Sequence, residues 1–287
     1  MRFEGDQCIA ELTGRYGIYL DTFSIIDLAK PSEAHDRFLS ALQLRGTLLF
    51  SLSNAVEVGG LLGDSATRVT AFLSAVGPNW LPLELNVWKV AERELDDPTH
   101  MGPVSPWFME AFVRERMRDL GLTDPRSFDG PFFDLGAVVR WSQLDRKGLC
   151  DQQEKMAQAV RSVVTQYRMS YDADATFLDR ELPQIPFDPN RRATFVLMHL
   201  MRILVMEAKS HHFTRNDALD LCHAVPAVAY SSLATLDKTW KRRVASLPTP
   251  SRVARVFYQP ELLELISELE GLVATEPITL RSRAASG

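Results

Sequence analysis

Five acidic residues occupy positions from which they could bind a divalent cation. Asp21 and Asp237 each end a short apolar run, and Glu57 lies just beyond another. Asp217 and Asp220 lie one turn apart in a segment with a helical pattern. Carboxylates that are packed together repel each other, so such a cluster usually requires a bound cation. Mg²⁺ or Mn²⁺ held there would activate water and neutralise charge on a phosphate group, which is the chemistry of phosphodiester hydrolysis.

The segments that must position these acids alternate between strand and helix patterns. The apolar runs predict buried strands at residues 17–21, 47–52, 80–85, 232–236 and 254–258. Amphipathic segments between them predict helices, and this alternation indicates a parallel sheet. Pro82 is tolerated best in an edge strand, so the third strand is predicted at an edge. Open parallel sheets bind ligands at the carboxyl ends of their strands, where we expect the acids to meet.

The middle of the chain has a different pattern. Residues 96–204 contain turn-rich stretches and no β-rich segment, and helices are predicted at 107–120, 135–144, 153–169 and 193–208. We therefore predict one α/β core formed by residues 1–95 and 205–287. Residues 96–204 form a large all-helical insertion packed on that core.

Composition limits the functional classes. The formal net charge of -5 argues against general coating of nucleic acid, although a local basic rim would still suffice for a nuclease. The three cysteines are far apart and lack metal-binding or disulfide spacing. No signal-peptide core and no membrane-spanning apolar run is evident. We expect a cytoplasmic protein without a membrane partner.

Four segments, taken together and in order, resemble a PIN-like nuclease domain. They are Gly17–Leu28, Leu52–Val58, Asn216–His223 and Ala234–Trp240. The resemblance implies a three-layer α/β/α parallel-sheet domain and a Mg²⁺- or Mn²⁺-dependent nuclease. It favours single-stranded RNA as the substrate and implies a homodimer. The long middle segment departs from the small PIN toxins, which leaves any toxin role or antitoxin partner unspecified.

The resemblance also assigns roles to the acids. Asp21 matches the first acid, Glu57 the second and Asp237 the fourth. The third lies on the helix before the fourth strand, where Asp217 and Asp220 are both candidates and Asp220 is favoured. Asp21, Glu57, Asp220 and Asp237 are the predicted catalytic residues, and all five acids are candidate metal ligands.

Each acid also has a purely structural interpretation. Asp21 could cap the helix that follows it, since aspartate is a favoured N-cap. Glu57 lies three residues after Asn54 and could complete a capping box. Asp217 could interact with a helix dipole, and Asp237 could be a turn residue.

The candidate substrate-binding residues lie after the fourth strand. Lys238, Lys241 and Arg242 could bind phosphate, although such a run is often a solvated helix face. Trp240 could stack on a base, but a buried anchor is the favoured interpretation. His223 is favoured as a packed histidine, with a metal-binding stripe formed with Asp217 and Asp220 as the alternative.

Two other functions stay open at this point. One is a catalytically silent PIN-like domain that binds nucleic acid or protein. The other is a phosphohydrolase that uses the same acids on a small phosphate ester. Metal-dependent thermal protection would separate the silent domain from either enzyme.

Overall fold

The structure, a computed structural model, describes residues 2–4, 7–12, 16–77, 79–84, 86–96, 135–273 and 278–283. Its strands are β1 (Arg2–Glu4), β2 (Gln7–Leu12), β3 (Tyr16–Tyr19), β4 (Gly46–Ser51), β5 (Trp80–Leu83), β6 (Leu233–Thr235), β7 (Arg255–Phe257) and β8 (Ile278–Arg283). Its helices are α1 (Thr22–Leu28), α2 (Glu33–Arg45), α3 (Leu52–Gly59), α4 (Gly63–Ala75), α5 (Val87–Asp96), α6 (Leu135–Leu144), α7 (Arg146–Ala173), α8 (Phe177–Glu181), α9 (Arg192–Met206), α10 (Arg215–Tyr230), α11 (Lys238–Ala245) and α12 (Leu262–Gly271).

A parallel sheet of five strands forms the centre of the fold. The strand order is β5-β4-β3-β6-β7, and every neighbouring pair is parallel. All five predicted strands are confirmed, with ends that differ by at most two residues. β4 is buried along its whole length, as expected for a strand covered on both faces. β5, which contains Pro82, lies at an edge as predicted.

Helices cover both faces of this sheet. Gly46 and Gly17 occupy successive register positions of β4 and β3, so they face opposite sides. Gly46 lies between Leu42 of α2 and Leu269 of α12. Gly17 lies against the carbonyl of Tyr230 at the end of α10, where an added Cβ would come within 2.9 Å. The fold is therefore α/β, with a parallel sheet flanked by helices, which agrees with the predicted layers.

The described part of residues 96–204 is helical, as predicted. α6 packs against α3 and α4, α7 against α10 and α3, and α9 against α10 and α5. One continuous core includes Leu48 of β4, Val139 of α6, Val160 of α7 and Leu200 of α9. α7 is longer than predicted at both ends and includes Gly148. The helix predicted at 107–120 lies outside the described residues.

Glu94 connects α5 to the start of α9 through hydrogen bonds. Its carboxylate accepts hydrogen bonds from the backbone N–H groups of Ala193 at 2.7 Å and Thr194 at 2.8 Å. The Tyr230 hydroxyl, at the end of α10, donates to the same carboxylate. The buried Glu94 therefore supplies acceptors for N–H groups that the first turn of a helix leaves unsatisfied.

A second sheet lies outside the predicted pattern. β1, β2 and β8 form an antiparallel sheet in the order β1-β2-β8. β2 and β8 come from opposite ends of the chain, pairing Gln7 with Arg283. Among the described helices, none combines the length and apolar character needed to cross a membrane.

Candidate active site

The strand order of the large sheet reverses between β3 and β6. β3 leads to α1 and onward to β4 on one side, whereas β6 leads to β7 on the other. Such a switch point opens a crevice beyond the carboxyl ends of the two strands. Asp21 lies two residues after the end of β3, and Asp237 lies two residues after the end of β6. The topology therefore brings these two predicted acids to the same crevice.

A cleft of about 650 Å³ occupies this position. It contains the four predicted catalytic acids, together with polar, aromatic and apolar side chains. The lining residues are Tyr19, Asp21, Thr22, Phe23, Ile26, Asn54, Glu57, Gln153, Arg215, Asn216, Leu219, Asp220, His223, Leu236, Asp237 and Trp240.

Asp21 is held in place by two hydrogen bonds to one of its carboxylate oxygens. Its Oδ1 accepts from the backbone N–H of Ser24 at 2.9 Å, which makes Asp21 the N-cap of α1. The same oxygen accepts from Thr235 Oγ1 at 3.1 Å. Thr235 Oγ1 in turn accepts the Asp21 backbone N–H at 2.8 Å. Oδ2 has no hydrogen-bond donor among the residues that the structure describes, so capping leaves it available to a ligand.

Asp237 has the same arrangement at the end of β6. It is the N-cap of α11, and its Oδ1 accepts the backbone N–H of Trp240 at 2.8 Å. In the described part of the chain, its Oδ2 has no donor either. Capping was the structural alternative for Asp21 and a turn position the alternative for Asp237. The structure shows that both residues are N-caps and that each cap uses only one of the two carboxylate oxygens.

Glu57 extends from α3 toward the start of α1. Thr22 Oγ1 donates a hydrogen bond to Glu57 Oε2, and His223 Nε2 lies 3.9 Å from Oε1. The capping-box interpretation of Glu57 is wrong, because α3 begins two residues earlier than the sequence suggested. Its capping box is formed by Ser51 and Asn54.

Asp220 lies deeper in the cleft. Trp240 Nε1 donates to Asp220 Oδ2 at 3.1 Å, and the Trp240 ring is itself buried and stacked against Arg243 at 4.7 Å. Burial, followed by repulsion from the Asp237 carboxylate, raises the pKa of Asp220 to about 7. Glu57 adds to this repulsion. Because nearby negative charge and burial penalise the ionised carboxylate, a cation that offset them would bind favourably.

Asp217 is not among the residues that line the cleft. Its Oδ2 accepts from the backbone N–H of Thr214 at 2.8 Å and completes the capping box of α10. His211 Nε2 lies 2.8 Å from Oδ1, and Arg243 lies 3.8 Å away. Burial raises the pKa of Asp217, but the hydrogen bonds from Thr214 and His211 outweigh it and hold the pKa below its usual value. Of the two candidates for the third acid, the structure brings only Asp220 into the cleft.

The predicted phosphate-binding residues also lie outside the cleft lining. Lys241 forms an ion pair with Glu261 and lies 5.2 Å from the centre of the Tyr258 ring. Lys238 and Arg242 are exposed, in agreement with the solvated helix face. Trp240 is 2% exposed, so the buried-anchor interpretation is confirmed.

Other residues line the cleft that the sequence analysis did not identify. Arg215 contributes a positive charge, although Glu154 pairs with it. Phe23 contributes a ring that is 68% exposed. In the sequence, Phe23 lies two residues after the candidate metal ligand Asp21, and this position could have indicated an aromatic residue at the site.

The chemistry of the acids fits a hard divalent cation, which takes oxygen ligands from carboxylates. Asp21 and Asp237 each keep one oxygen without a donor among the described residues, and the pKa of Asp220 is raised by burial and then by the neighbouring Asp237 carboxylate. Within the described ranges, no three His, Cys, Asp or Glu side chains are close enough to form a ready-made metal-binding group. A bound cation would therefore have to draw the carboxylates together.

Comparisons with known proteins do not identify a relative. The chain matches no family model, no curated protein and no solved structure.

Proposed function

We propose that this protein is a Mg²⁺- or Mn²⁺-dependent nuclease with a PIN-like core that hydrolyses phosphodiester bonds in single-stranded RNA. The observation that carries the proposal is the meeting of Asp21, Glu57, Asp220 and Asp237 in one cleft at the switch point of the sheet. These residues come from distant parts of the sequence, and a protein without a cationic ligand would gain little by gathering them.

Each acid has a distinct part in the proposed reaction. A bound divalent cation lowers the pKa of a coordinated water and offsets charge on phosphate oxygens. Asp21 and Asp237, fixed by their helix caps, would hold it through the oxygens that the caps leave unused. Asp220, oriented by the indole of Trp240, would complete the ligand set. Glu57, oriented by Thr22, would accept a hydrogen bond from the attacking water.

The wall of the cleft supports a single-stranded substrate. The exposed ring of Phe23 lies beside Asp21, and Ile26 and Leu236 line the same cleft. An unpaired base can stack on such a ring, whereas a base inside a duplex cannot reach it. Among the described residues that line the cleft, Arg215 contributes a positive charge that could contact a phosphate. The choice of RNA and a homodimeric state follow from the PIN-like resemblance alone, and a cytoplasmic location is proposed from the sequence composition.

A catalytically silent binding module is the second candidate. It is favoured by the spacing of the acids, because no three of them are close enough as they stand to surround an ion in the described structure. Such a module would bind a single strand through Phe23 and Arg215 without a metal requirement. A nuclease would instead gain thermal stability from Mn²⁺, through binding to the folded state.

Cleavage of fluorescently labelled single-stranded RNA and matching DNA tests the proposal. The wild type is compared with Asp21→Asn and Asp237→Asn in Mn²⁺, Mg²⁺ and EDTA. Asp27→Asn is the matched control, because Asp27 lies on α1 but pairs with Lys30 outside the cleft. Cutting that requires metal, persists in the control and disappears in both site variants supports the nuclease. Cutting that survives in the site variants contradicts the assignment of the site.

A further inference from the structure

His223 is a buried side chain with one ring nitrogen that has no partner in the part of the chain that the structure describes. It lines the cleft from α10 and is 6% exposed. Its Nδ1 contacts the Tyr19 hydroxyl, and Ser51 Oγ lies 3.4 Å from it. Its Nε2 is buried and has no hydrogen-bond partner among the described residues. Glu57 Oε1, at 3.9 Å, is beyond hydrogen-bond distance.

The contacts around Nδ1 decide which nitrogen carries the proton. A tyrosine hydroxyl keeps its proton at neutral pH, so the Tyr19 hydroxyl can donate a hydrogen bond. Ser51 Oγ donates to Asn54 Oδ1 at 2.9 Å, so its proton is already used. With the Tyr19 hydroxyl as the donor to Nδ1, the neutral ring carries its proton on Nε2. His223 thus presents an N–H group without an acceptor.

A buried donor without an acceptor is destabilising, and most folds avoid one. Here the donor is fixed in direction, because the Tyr19 contact holds the ring from the other side. It is also a neutral donor in a cleft with four carboxylates. A lysine or arginine at this position would pair with Glu57 and compete with a cation, whereas a neutral imidazole leaves Glu57 free to act.

We propose that His223 Nε2–H donates a hydrogen bond to an anionic oxygen of the bound ligand, namely a non-bridging oxygen of the phosphodiester. This inference rests on the proposed nuclease function. It makes His223 a substrate-binding residue, and it argues against direct metal ligation, which would require a lone pair on Nε2. Its effect would be largest where negative charge on the phosphate oxygens increases during hydrolysis.

Two substitutions distinguish the contribution of the Nε2–H donor from that of the buried side chain as such. In His223→Gln, the amide nitrogen can take the place of Nε2 and donate. His223→Leu removes the donor and keeps an apolar side chain in the buried position. On single-stranded RNA with Mn²⁺, we expect kcat/KM to fall by about 100-fold in the leucine variant and by less than about tenfold in the glutamine variant. The affinity of each variant for Mn²⁺, measured by calorimetry, should match the wild type, and each variant should still unfold cooperatively on heating.

Each outcome distinguishes this inference from the proposed function. A leucine variant that cleaves like the wild type overturns the inference and leaves the nuclease intact. A leucine variant that loses Mn²⁺ affinity makes His223 a metal ligand and also overturns it. If the wild type does not cleave, binding of the same RNA in Ca²⁺ is measured by fluorescence anisotropy. The inference is supported if the leucine variant binds this RNA more weakly than the wild type and the glutamine variant do. It is overturned if all three proteins bind equally or if none binds.

The tautomer can be measured without activity. Nitrogen-15 NMR of the histidine ring in the full chain separates the Nδ1–H and Nε2–H forms, and His223→Gln identifies the signal. We expect the Nε2–H form in the metal-free protein. An Nδ1–H ring would contradict the hydrogen-bond network on which the inference depends.

Discussion

Replacing Asp220 by asparagine should stabilise the metal-free protein at alkaline pH. Burial and the Asp237 carboxylate raise the pKa of Asp220 from 3.8 to about 7 in the folded state. The folded protein therefore binds more protons than the unfolded chain between these two values. Stability from this group is complete below pH 3.8, declines as the pH rises through about 7 and is lost above it. Asparagine avoids this loss and can still accept the Trp240 hydrogen bond.

The size of the effect follows from the same shift. Each pH unit corresponds to about 1.36 kcal/mol, so the displacement of the Asp220 pKa has an upper bound of roughly 4 kcal/mol. Asp220 is partly open to the cleft, and solvent reduces the effect. We expect about 2 kcal/mol at pH 8, which corresponds to a rise of a few degrees in melting temperature. At pH 4 the two proteins should differ little.

Thermal unfolding in EDTA and in Mn²⁺, at pH 4 and at pH 8, measures how the charge of Asp220 affects stability with and without the cation. In EDTA at pH 8, the asparagine variant should melt above the wild type. In excess Mn²⁺ the order should reverse, because the ionised Asp220 carboxylate binds the cation in the folded state. A variant that melts below the wild type in EDTA, or that gains as much from Mn²⁺, would refute the reasoning.

Three further substitutions separate binding, stability and catalysis. Phe23→Ala should raise KM for single-stranded RNA about tenfold through lost stacking, while Phe23→Trp should keep it; equal KM values would exclude the ring from the substrate site. Glu94→Ala should lower the free energy of unfolding in urea by about 2–4 kcal/mol, because it leaves the N–H groups of Ala193 and Thr194 without acceptors; a loss below about 1 kcal/mol would contradict that role. Asp217→Asn should destabilise the protein by about 1–3 kcal/mol yet keep cleavage; loss of cleavage without unfolding would make Asp217 the third acid.

Much of the core could be predicted because local signals and topology agree there. The strands are short, buried and bounded by turn residues, and parallel pairing brings their carboxyl ends to one edge. The positions of Asp21 and Asp237 follow directly, since each comes just after a strand. The pairing of β2 with β8 could not be predicted in this way, because these strands lie far apart in the sequence.

The details of the site depend on contacts that spacing does not specify. Their spacing places Asp217 and Asp220 on one side of α10. Asp217, however, accepts a hydrogen bond from Thr214 at the N-cap of that helix, whereas Asp220 accepts one from Trp240. The sequence predicts that Lys241 binds phosphate, whereas the structure pairs Lys241 with Glu261. The contact between His223 and Tyr19, 204 residues apart, is likewise a product of the tertiary fold.

Calorimetric titration of Mn²⁺ into the metal-free protein tests the central claim most directly, namely that the acids of the cleft act together on one kind of cation. We predict saturable binding to the wild type and to Asp27→Asn. Binding should weaken by about tenfold or more in Asp21→Asn and in Asp237→Asn, since each removes a carboxylate ligand. A wild type that binds no Mn²⁺, or site variants that bind it as tightly as the control, would contradict the account.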